Sequence, residues 1–293
     1  MRINHNIPAM ITQGSLFRVG RALSKNLEKL STGLRINRAS DDAAGLGVSE
    51  NLRTQVRGTA QAKKNALDGI AALTIAEGAA NEVSSILQRM RELAVQSAND
   101  TLTSVERGYT NQEFGNLIEE IDRIANVTNY NGMDLLSNNT TAGERFGVGG
   151  LAGVAVGSGS VLWVDANDTI GQDSITIGID TLTTATGTGL GVVDDVLTSQ
   201  TASVDAITAM DLAINSVNTM RSNIGALVNR LEHAINNLDV SNTNQQAAES
   251  LIRDVDFASE TSEYTKNQIL TQSATAMLAQ ANVIPQSVLQ LLG

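Results

Sequence analysis

The chain contains no cysteine, two prolines and few aromatic residues. Without cysteine it has no disulfide framework, no thiolate metal site and no cysteine nucleophile. Pro8 and Pro285 lie near the two ends, so the sequence between them lacks the residue that most strongly interrupts helices. Apolar residues make up 42% of the 293 and are mostly Ala, Leu, Ile and Val, which favours helical seams over a thick globular core. The sequence therefore permits long uninterrupted helices.

Positive charge is scarce, and long apolar runs are missing. The formal net charge is -11, and no Lys or Arg occurs between Arg145 and Arg221. Nucleic-acid binding requires clustered basic residues that neutralise phosphates, so we expect no nucleic-acid partner. No run of about 18 apolar residues occurs, and the first residues lack a charged segment followed by an apolar one. We therefore expect no membrane partner and no ordinary cleaved signal peptide.

Residues for a catalytic or metal site are also few. The sequence has two histidines, His5 and His233, and no His-Glu-x-x-His motif of the kind that would indicate a zinc metalloprotease. Asp165, Asp168 and Asp173 lack the ordered spacing and the terminal Glu of an EF-hand calcium loop. We expect no catalytic residue, no metal and no cofactor, and we predict that the chain is not an enzyme.

In the first half of the chain, apolar residues recur at helical spacing. Steps of three and four residues predict a first helix over roughly residues 5 to 33 and a second from near residue 43 to Asn99. A shorter third helix is expected to stop at the turn sequence Asn129-Tyr-Asn-Gly132. The second helix has the 3.5-residue repeat of a coiled coil. Its seam consists of Leu73, Ala76, Ala80, Val83, Leu87, Met90 and Ala94.

The same spacing returns in the second half in two helices. The seam of the fourth helix is predicted to consist of Ile207, Met210, Ile214, Val217, Arg221, Ile224, Val228, Leu231, Ile235 and Leu238. That of the last helix is predicted to consist of Leu270, Ala274, Met277, Ala281, Ile284, Val288 and Leu291. Further apolar residues, such as Leu278 and Val283, lie off the last seam, so this helix needs several neighbours. It could be the core helix of a compact monomer, or a helix that becomes buried on polymerisation, which we favour.

Between the two helical halves the composition changes. The stretch from Gly143 to Gly191 holds 12 of the 25 glycines. Alternating apolar residues at Val161–Val164 and Ser174–Ile179 predict β-strands. We expect a small β region on helical supports. Because Gly-rich β segments with polar Thr faces usually lie where helices cannot bury them, we expect this region on the outer surface of any polymer that the chain forms.

The predicted fold is mainly α, with long antiparallel helices in coiled-coil bundles, a small β-hairpin insert and paired N- and C-terminal helices. Residues 1–42 and 251–293 are expected to form the two parts of a terminal coiled-coil core domain. Residues 43–136 and 201–250 are expected to form an inner helical domain, and residues 137–200 a Gly/Thr-rich β region.

Four segments resemble conserved regions of bacterial flagellins. The longest runs from Ser31 to Arg53, reads Ser-Thr-Gly-Leu-Arg-Ile-Asn-Arg-Ala-Ser-Asp-Asp-Ala-Ala-Gly-Leu-Gly-Val-Ser-Glu-Asn-Leu-Arg, and resembles the family's N-terminal signature. Leu87–Asn99 and Glu119–Ala125 resemble helices of the family's inner domain, and Leu278–Leu292 resembles its C-terminal pattern. The resemblance implies a structural subunit that self-assembles into the helical filament of the bacterial flagellum, used for motility.

The resemblance covers roughly residues 1 to 136 and 200 to 293, so it implies a short flagellin with a minimal outer region. It implies a filament core of paired terminal helices, surrounded by a tube of inner domains. The expected filament-core contacts are Leu23, Leu27, Leu30, Leu270, Met277, Ile284, Val288 and Leu291. A hook–filament junction protein shares the terminal helices with flagellin and is the alternative function.

The resemblance also implies a route and a set of partners. Family members are exported unfolded through the flagellar type III channel without a cleaved signal peptide, so the chain is expected to be secreted into an extracellular filament. The implied partners are further copies of the chain, an export chaperone at the C-terminal helix, the filament cap and hook-associated junction proteins. A host Toll-like receptor is a further implied partner, because Arg89, Leu93 and Glu113 match the family's receptor site. The same three residues could instead serve lateral packing in the filament.

Overall fold

The computed structural model describes residues 6–137, 160–166, 173–184, 190–192 and 197–292. This part of the chain is dominated by helices, which confirms the mainly α fold with a small β-hairpin insert. The helices are α1 (Ile7–Thr32), α2 (Ala43–Ser97), α3 (Ser104–Val127), α4 (Gln200–Arg253) and α5 (Phe257–Leu292). The strands are β1 (Asn129–Tyr130), β2 (Met133–Asp134), β3 (Ser160–Trp163) and β4 (Ser174–Ile177), which pair as two antiparallel hairpins, β1 with β2 and β3 with β4.

Local capping chemistry explains where the helices begin and end. The Asn6 side chain accepts a hydrogen bond from the backbone N–H of Ala9 (3.1 Å) and caps α1, which ends at Gly33 in the left-handed conformation. Thr103 and Glu106 form a capping box at the start of α3. The helix limits predicted from the sequence are therefore confirmed to within a few residues.

The hairpin of β1 and β2 turns at Asn131 and Gly132. Both residues have positive φ angles, 54° and 77°, which a tight two-residue hairpin turn requires and which Asn and Gly adopt at low cost. The turn predicted from the Asn-Gly pair is confirmed.

Tertiary contacts divide the chain into two compact units. We call residues 1–56 with 243–293 the terminal unit, and residues 57–242 the central unit. The sequence predicted divisions at helix ends, whereas the contacts divide the chain within α2 and α4. The reason is that the start of α2 contacts the end of α4, where the Arg253 guanidinium donates to the Glu50 carboxylate at 2.7 Å.

The core of the central unit is built on α2, α3 and α4. All seven predicted seam residues of α2 are completely buried, which confirms that seam. In α4 the predicted seam is partly wrong, because Ala206, Ala213 and Met220 are buried in place of Ile207, Ile214 and Arg221, which are half-buried. Both versions share residues such as Met210 and Val217, so a 3.5-residue spacing alone cannot say which neighbouring positions face the core. Residue size is a poor guide there, since alanine is buried at positions 206 and 213 while the larger isoleucines at 207 and 214 are only half-buried.

The described part of the β region contributes to that core. Ile177 is 0% exposed, and Ile175, Ile179 and Leu182 are also buried in the same apolar cluster as the helices. The helical support predicted for the β region is therefore confirmed, whereas the idea that helices cannot bury such a segment is wrong for these residues. Its place on the outer surface of a polymer stays a prediction. The isoleucines lie on the inner side of β4 while Thr176 is exposed, so the strand has one face for the core and one for solvent.

Two glycines of α2 let the hairpin of β3 and β4 lie directly on the helix. A Cβ at Gly58 would come within 2.6 Å of the Ala166 Cβ, and one at Gly69 within 2.6 Å of a Leu162 methyl carbon. Between them, the Asn65 side chain donates to the Trp163 carbonyl oxygen at 3.2 Å. The lack of side chains at Gly58 and Gly69 therefore allows the hairpin to pack closely against α2.

Candidate assembly surfaces

Helices α1 and α5 pack against each other in antiparallel orientation. At one end of the pair, the Asn6 side-chain amide donates to the Ala281 carbonyl oxygen at 2.9 Å. At the other end, the Lys29 ammonium lies 3.3 Å from the Glu260 carboxylate. The predicted pairing of the N- and C-terminal helices is thus confirmed.

The residues predicted as filament-core contacts fall into three groups. Leu23 and Leu30 are half-buried in the terminal unit, while Leu27, Leu270 and Met277 are exposed. Ile284, Val288 and Leu291 belong to α5, and their side chains lie outside the described residues. Their contact role in a filament stays a prediction.

The face of α5 that is shielded from solvent shares Ala274 and Ala281 with the predicted seam but is otherwise offset from it. It carries Tyr264, Asn267, Thr271, Ala274, Leu278 and Ala281. Leu270 and Met277 therefore point away from that face, and Met277 is 58% exposed. Because α5 is apolar around much of its circumference, the pattern predicted an apolar face correctly but not which side packs on α1.

Exposed apolar side chains are concentrated on this helix pair. On α1 they are Ile7, Met10, Ile11, Phe17 and Leu27, and on α5 they are Phe257, Ile269, Leu270, Met277 and Val283. Single exposed apolar residues are normal, but a concentration of them on two packed helices is typical of a surface that another protein covers.

One residue of the α1–α5 interface was missed from the sequence. Asn26 is the one buried residue of the described part of α1. The strict alternation of three and four residues from Leu16 through Val19 and Leu23 leads to Asn26 and not to Leu27, which is 49% exposed. The signal was present, but a search for apolar residues passes over a polar residue on a seam.

The segment that resembles the flagellin N-terminal signature forms backbone contacts between the end of α1 and the short connection from α4 to α5. The Arg35 N–H donates to the Arg253 carbonyl oxygen at 2.7 Å, and the Val255 N–H donates to the Gly33 carbonyl oxygen at 3.0 Å. Leu34 and Asp254 form an antiparallel bridge between these bonds. These backbone hydrogen bonds therefore hold the end of α1 beside the start of α5.

Two carboxylates hold the loop and helix ends around this junction. Asp41 accepts from the Lys25 ammonium at 2.7 Å and from the backbone N–H of Arg38 at 3.2 Å. Lys25 is the main reason that the pKa of Asp41 lies below its ordinary value. The pKa of Glu50 is also lowered, chiefly by its hydrogen bond with Arg253. Sequence reasoning found neither pair, because the partners are far apart in the chain or on different elements.

A groove of about 720 Å³ lies between α1 and the loop that carries Asp41. Its wall includes Phe17, whose ring lies 4.8 Å from the Arg21 guanidinium carbon, together with Lys25, Glu28 and Arg38. Apolar, cationic and anionic side chains all line it, so it is a mixed surface and offers no constellation suited to catalysis.

In the central unit, two of the three residues that match the receptor site are in contact. The Arg89 guanidinium donates to the Glu113 carboxylate at 2.9 and 3.0 Å and so links α2 to α3. Glu113, and to a lesser degree Glu92, raises the pKa of Arg89. Leu93 is 1% exposed and lies in the core, so in this conformation it can support the helices beneath the ion pair but cannot touch a partner.

None of the described helices combines the length and apolar character needed to span a bilayer.

Comparison with known proteins gives the family. A model of the bacterial flagellin N-terminal helical region matches residues 3–141, and a model of the bacterial flagellin C-terminal helical region matches residues 207–292.

Whole-chain relatives agree with these matches. A flagellin of Halalkalibacterium halodurans is 46% identical over 292 residues, covering 100% of both chains. The flagellar filament 33 kDa core protein of Treponema phagedenis is 44% identical over 305 residues, again covering 100% of both. The crystal structure of Bacillus cereus flagellin is 26% identical, covers 60% of this chain and 88% of that one, and has a TM-score of 0.46. With two family models that together match most of the sequence and relatives similar along its full length, the chain belongs to the bacterial flagellin family.

Proposed function

We propose that this chain is the structural subunit of a flagellar filament and that the exposed apolar surface of α1 and α5 forms its contacts with neighbouring copies. The observation that carries the proposal is the exposure of Met277 and Leu270 on one helix and of Met10 and Phe17 on the other. The name of the Treponema phagedenis relative, a filament core protein, supports the same role.

The physical argument is the cost of leaving such a surface in water. Burial of one large apolar side chain contributes up to about 3 kcal/mol, so covering several of them in each copy favours association. A helical polymer repeats the same contact in every subunit, which makes the gain cumulative along the filament.

Membership of the same family supports a route to that filament. We propose that the chain is secreted through the flagellar type III channel without a cleaved signal peptide and acts outside the cell. An export chaperone at the C-terminal part of α5, the filament cap and hook-associated junction proteins would be its partners on the way. The family is a structural one, and we propose that the chain has no enzymatic activity.

Receptor binding is proposed for the exposed Arg89–Glu113 pair alone. The two side chains are about half-exposed and form a charged pair on adjoining helices. Charged groups at such positions can be covered by a partner without unfolding the core. Lateral packing between copies would use the same surface, and both roles are compatible with this geometry.

The double variant Leu270→Asp and Met277→Asp tests the assembly surface. Both side chains are exposed in the monomer, so the variant should remain folded, whereas a filament contact would bury two new carboxylates. A penalty of about 3 kcal/mol corresponds to roughly a hundredfold rise in the critical concentration for polymerisation. Sedimentation and electron microscopy measure the polymer, and circular dichroism checks the monomer.

The matched control is Gln272→Asp with Gln280→Asp, which adds the same charge to exposed polar positions of α5. It should polymerise much closer to wild type than the test variant. Equal polymerisation by the test variant and wild type would show that this face of α5 is not a filament contact. A wild-type chain that never polymerises would contradict the proposed function itself.

A further inference from the structure

A polar network lies inside the otherwise mostly apolar contact between α1 and α5. We call it the Asn26 network and define it as Asn26, Lys29, Glu260 and Asn267. Asn26 is 8% exposed, which makes it the most buried position of the described part of α1. A coiled-coil seam usually holds leucine or isoleucine at such a position, and a leucine there would stabilise the pair by apolar burial.

Every member of the network has a partner from the other helix or from within it. With the amide oriented to satisfy both of its atoms, the Asn26 nitrogen donates to the Ala22 carbonyl oxygen and to Glu260 Oε1, each at 3.0 Å. The Asn26 oxygen accepts from the Asn267 amide nitrogen at 3.1 Å. Lys29 takes the second oxygen of the same carboxylate, Glu260 Oε2, at 3.3 Å.

This arrangement is complete only for one α1 beside one antiparallel α5. If two copies of α1 met along this face in parallel, Lys29 would face Lys29 and the Asn26 amide would lose its carboxylate acceptor. If two copies of α5 met in the same way, Glu260 would face Glu260. A buried amide that exchanges a carboxylate acceptor for a neutral one forms a weaker hydrogen bond, and like charges in contact repel, so these alternative pairings are penalised.

We propose that the Asn26 network determines the specificity of terminal-helix pairing: it selects α1 with α5 and rejects parallel pairs of identical helices. The proposal rests on the proposed function, because wrong pairing matters most where many copies are brought together. The same hydrogen bonds form whether α5 comes from the same copy or from a neighbouring one. The network therefore specifies that α1 pairs with α5, but not which copy supplies the α5. A buried polar residue that specifies which helices pair, at the expense of stability, is a known device in coiled coils.

The test replaces Asn26 by leucine. Below the concentration at which wild type polymerises, Asn26→Leu should form soluble oligomers, with a ratio of oligomer to monomer about ten times that of wild type by analytical ultracentrifugation. The matched control is Gln13→Leu, which adds a leucine at an exposed position of the same helix. The control should remain as monomeric as wild type.

A charge exchange gives a second test that adds no apolar surface. Lys29→Glu places two carboxylates together and should weaken the α1–α5 pair, which would lower the helical circular dichroism of the monomer. Adding Glu260→Lys to it restores the opposite charges and should return the helical signal to that of wild type. Rescue by the second substitution would not follow from a merely destabilised helix.

The outcomes separate this inference from the proposed function. An Asn26→Leu variant as monomeric as wild type, a Gln13→Leu control that oligomerises equally, or a charge exchange that fails to rescue would each overturn the pairing role, even if wild type forms filaments. Absence of wild-type filaments at every concentration would contradict the proposed function, whereas the oligomer measurements on dilute protein would still decide the role of Asn26.

Discussion

Replacing Ile177 by alanine tests whether the β region is part of the core. Its side chain is completely buried in the cluster that also contains residues of α2, α3 and α4. Large-to-small substitutions at such positions cost about 2–5 kcal/mol, because apolar contacts are lost and a cavity remains. For a unit of this size, about 2–4 °C of melting temperature is lost per kcal/mol, so the unfolding midpoint should fall by roughly 4–20 °C.

The same strand supplies the control. Thr176 is the neighbour of Ile177 and faces solvent, so Thr176→Ala should change the free energy of unfolding by no more than about 0.5 kcal/mol. Thermal and urea unfolding followed by circular dichroism at 222 nm measures both variants. If Ile177→Ala lost no more stability than Thr176→Ala, the hairpin of β3 and β4 would not contribute to the core, and the assignment of Ile177 to the core would be incorrect. By the same reasoning, deletion of residues 149–186, which include the buried side chains of β4, should lower the free energy of unfolding of the monomer.

Two further predictions concern charged groups. Arg89→Ala with Glu113→Ala should weaken receptor activation by soluble monomer by at least about fivefold, whereas Arg91→Ala, which breaks a different interhelical ion pair, should have a smaller effect in the same cell-reporter assay. The folded-state pKa of Asp41 lies below its ordinary value of 3.8, so its contribution to stability is present above that pH and is lost as the pH falls through the lower folded value. Unfolding of Asp41→Asn between pH 5 and pH 2 should therefore depend less on pH than that of wild type, and an equal dependence would show that the Lys25 contact adds no acid-sensitive stability.

The helix limits were predictable because their chemistry is local. Asn6, Gly33 and Thr103 act on backbone groups within a few residues, so the sequence contains all the information required. The α2 seam was predictable for a related reason. Its buried residues are all apolar and follow one unbroken repeat, which leaves a single face that can pack.

The misses have a different physical origin. Burial of Ile177 depends on close packing of the hairpin against Gly58 and Gly69, which lie more than a hundred residues earlier in the chain. No local sequence pattern indicates such a contact. The choice between Ala206 and Ile207 depends on how α4 is rotated against its neighbours. Asn26 was missed because its burial is stabilised by Glu260 and Asn267, which only the folded helix pair brings near it.

The contact between Asn6 and Ala281 has a practical consequence for anyone who modifies this protein. Because the two helices run in opposite directions, an extension before α1 would emerge at the same end of the helix pair as one attached after α5. Moving an affinity tag, fluorophore or fused domain from one terminus to the other would therefore keep it at that end of the pair. The exposed turn at Asn131 and Gly132, in the central unit, offers a separate place for a small label.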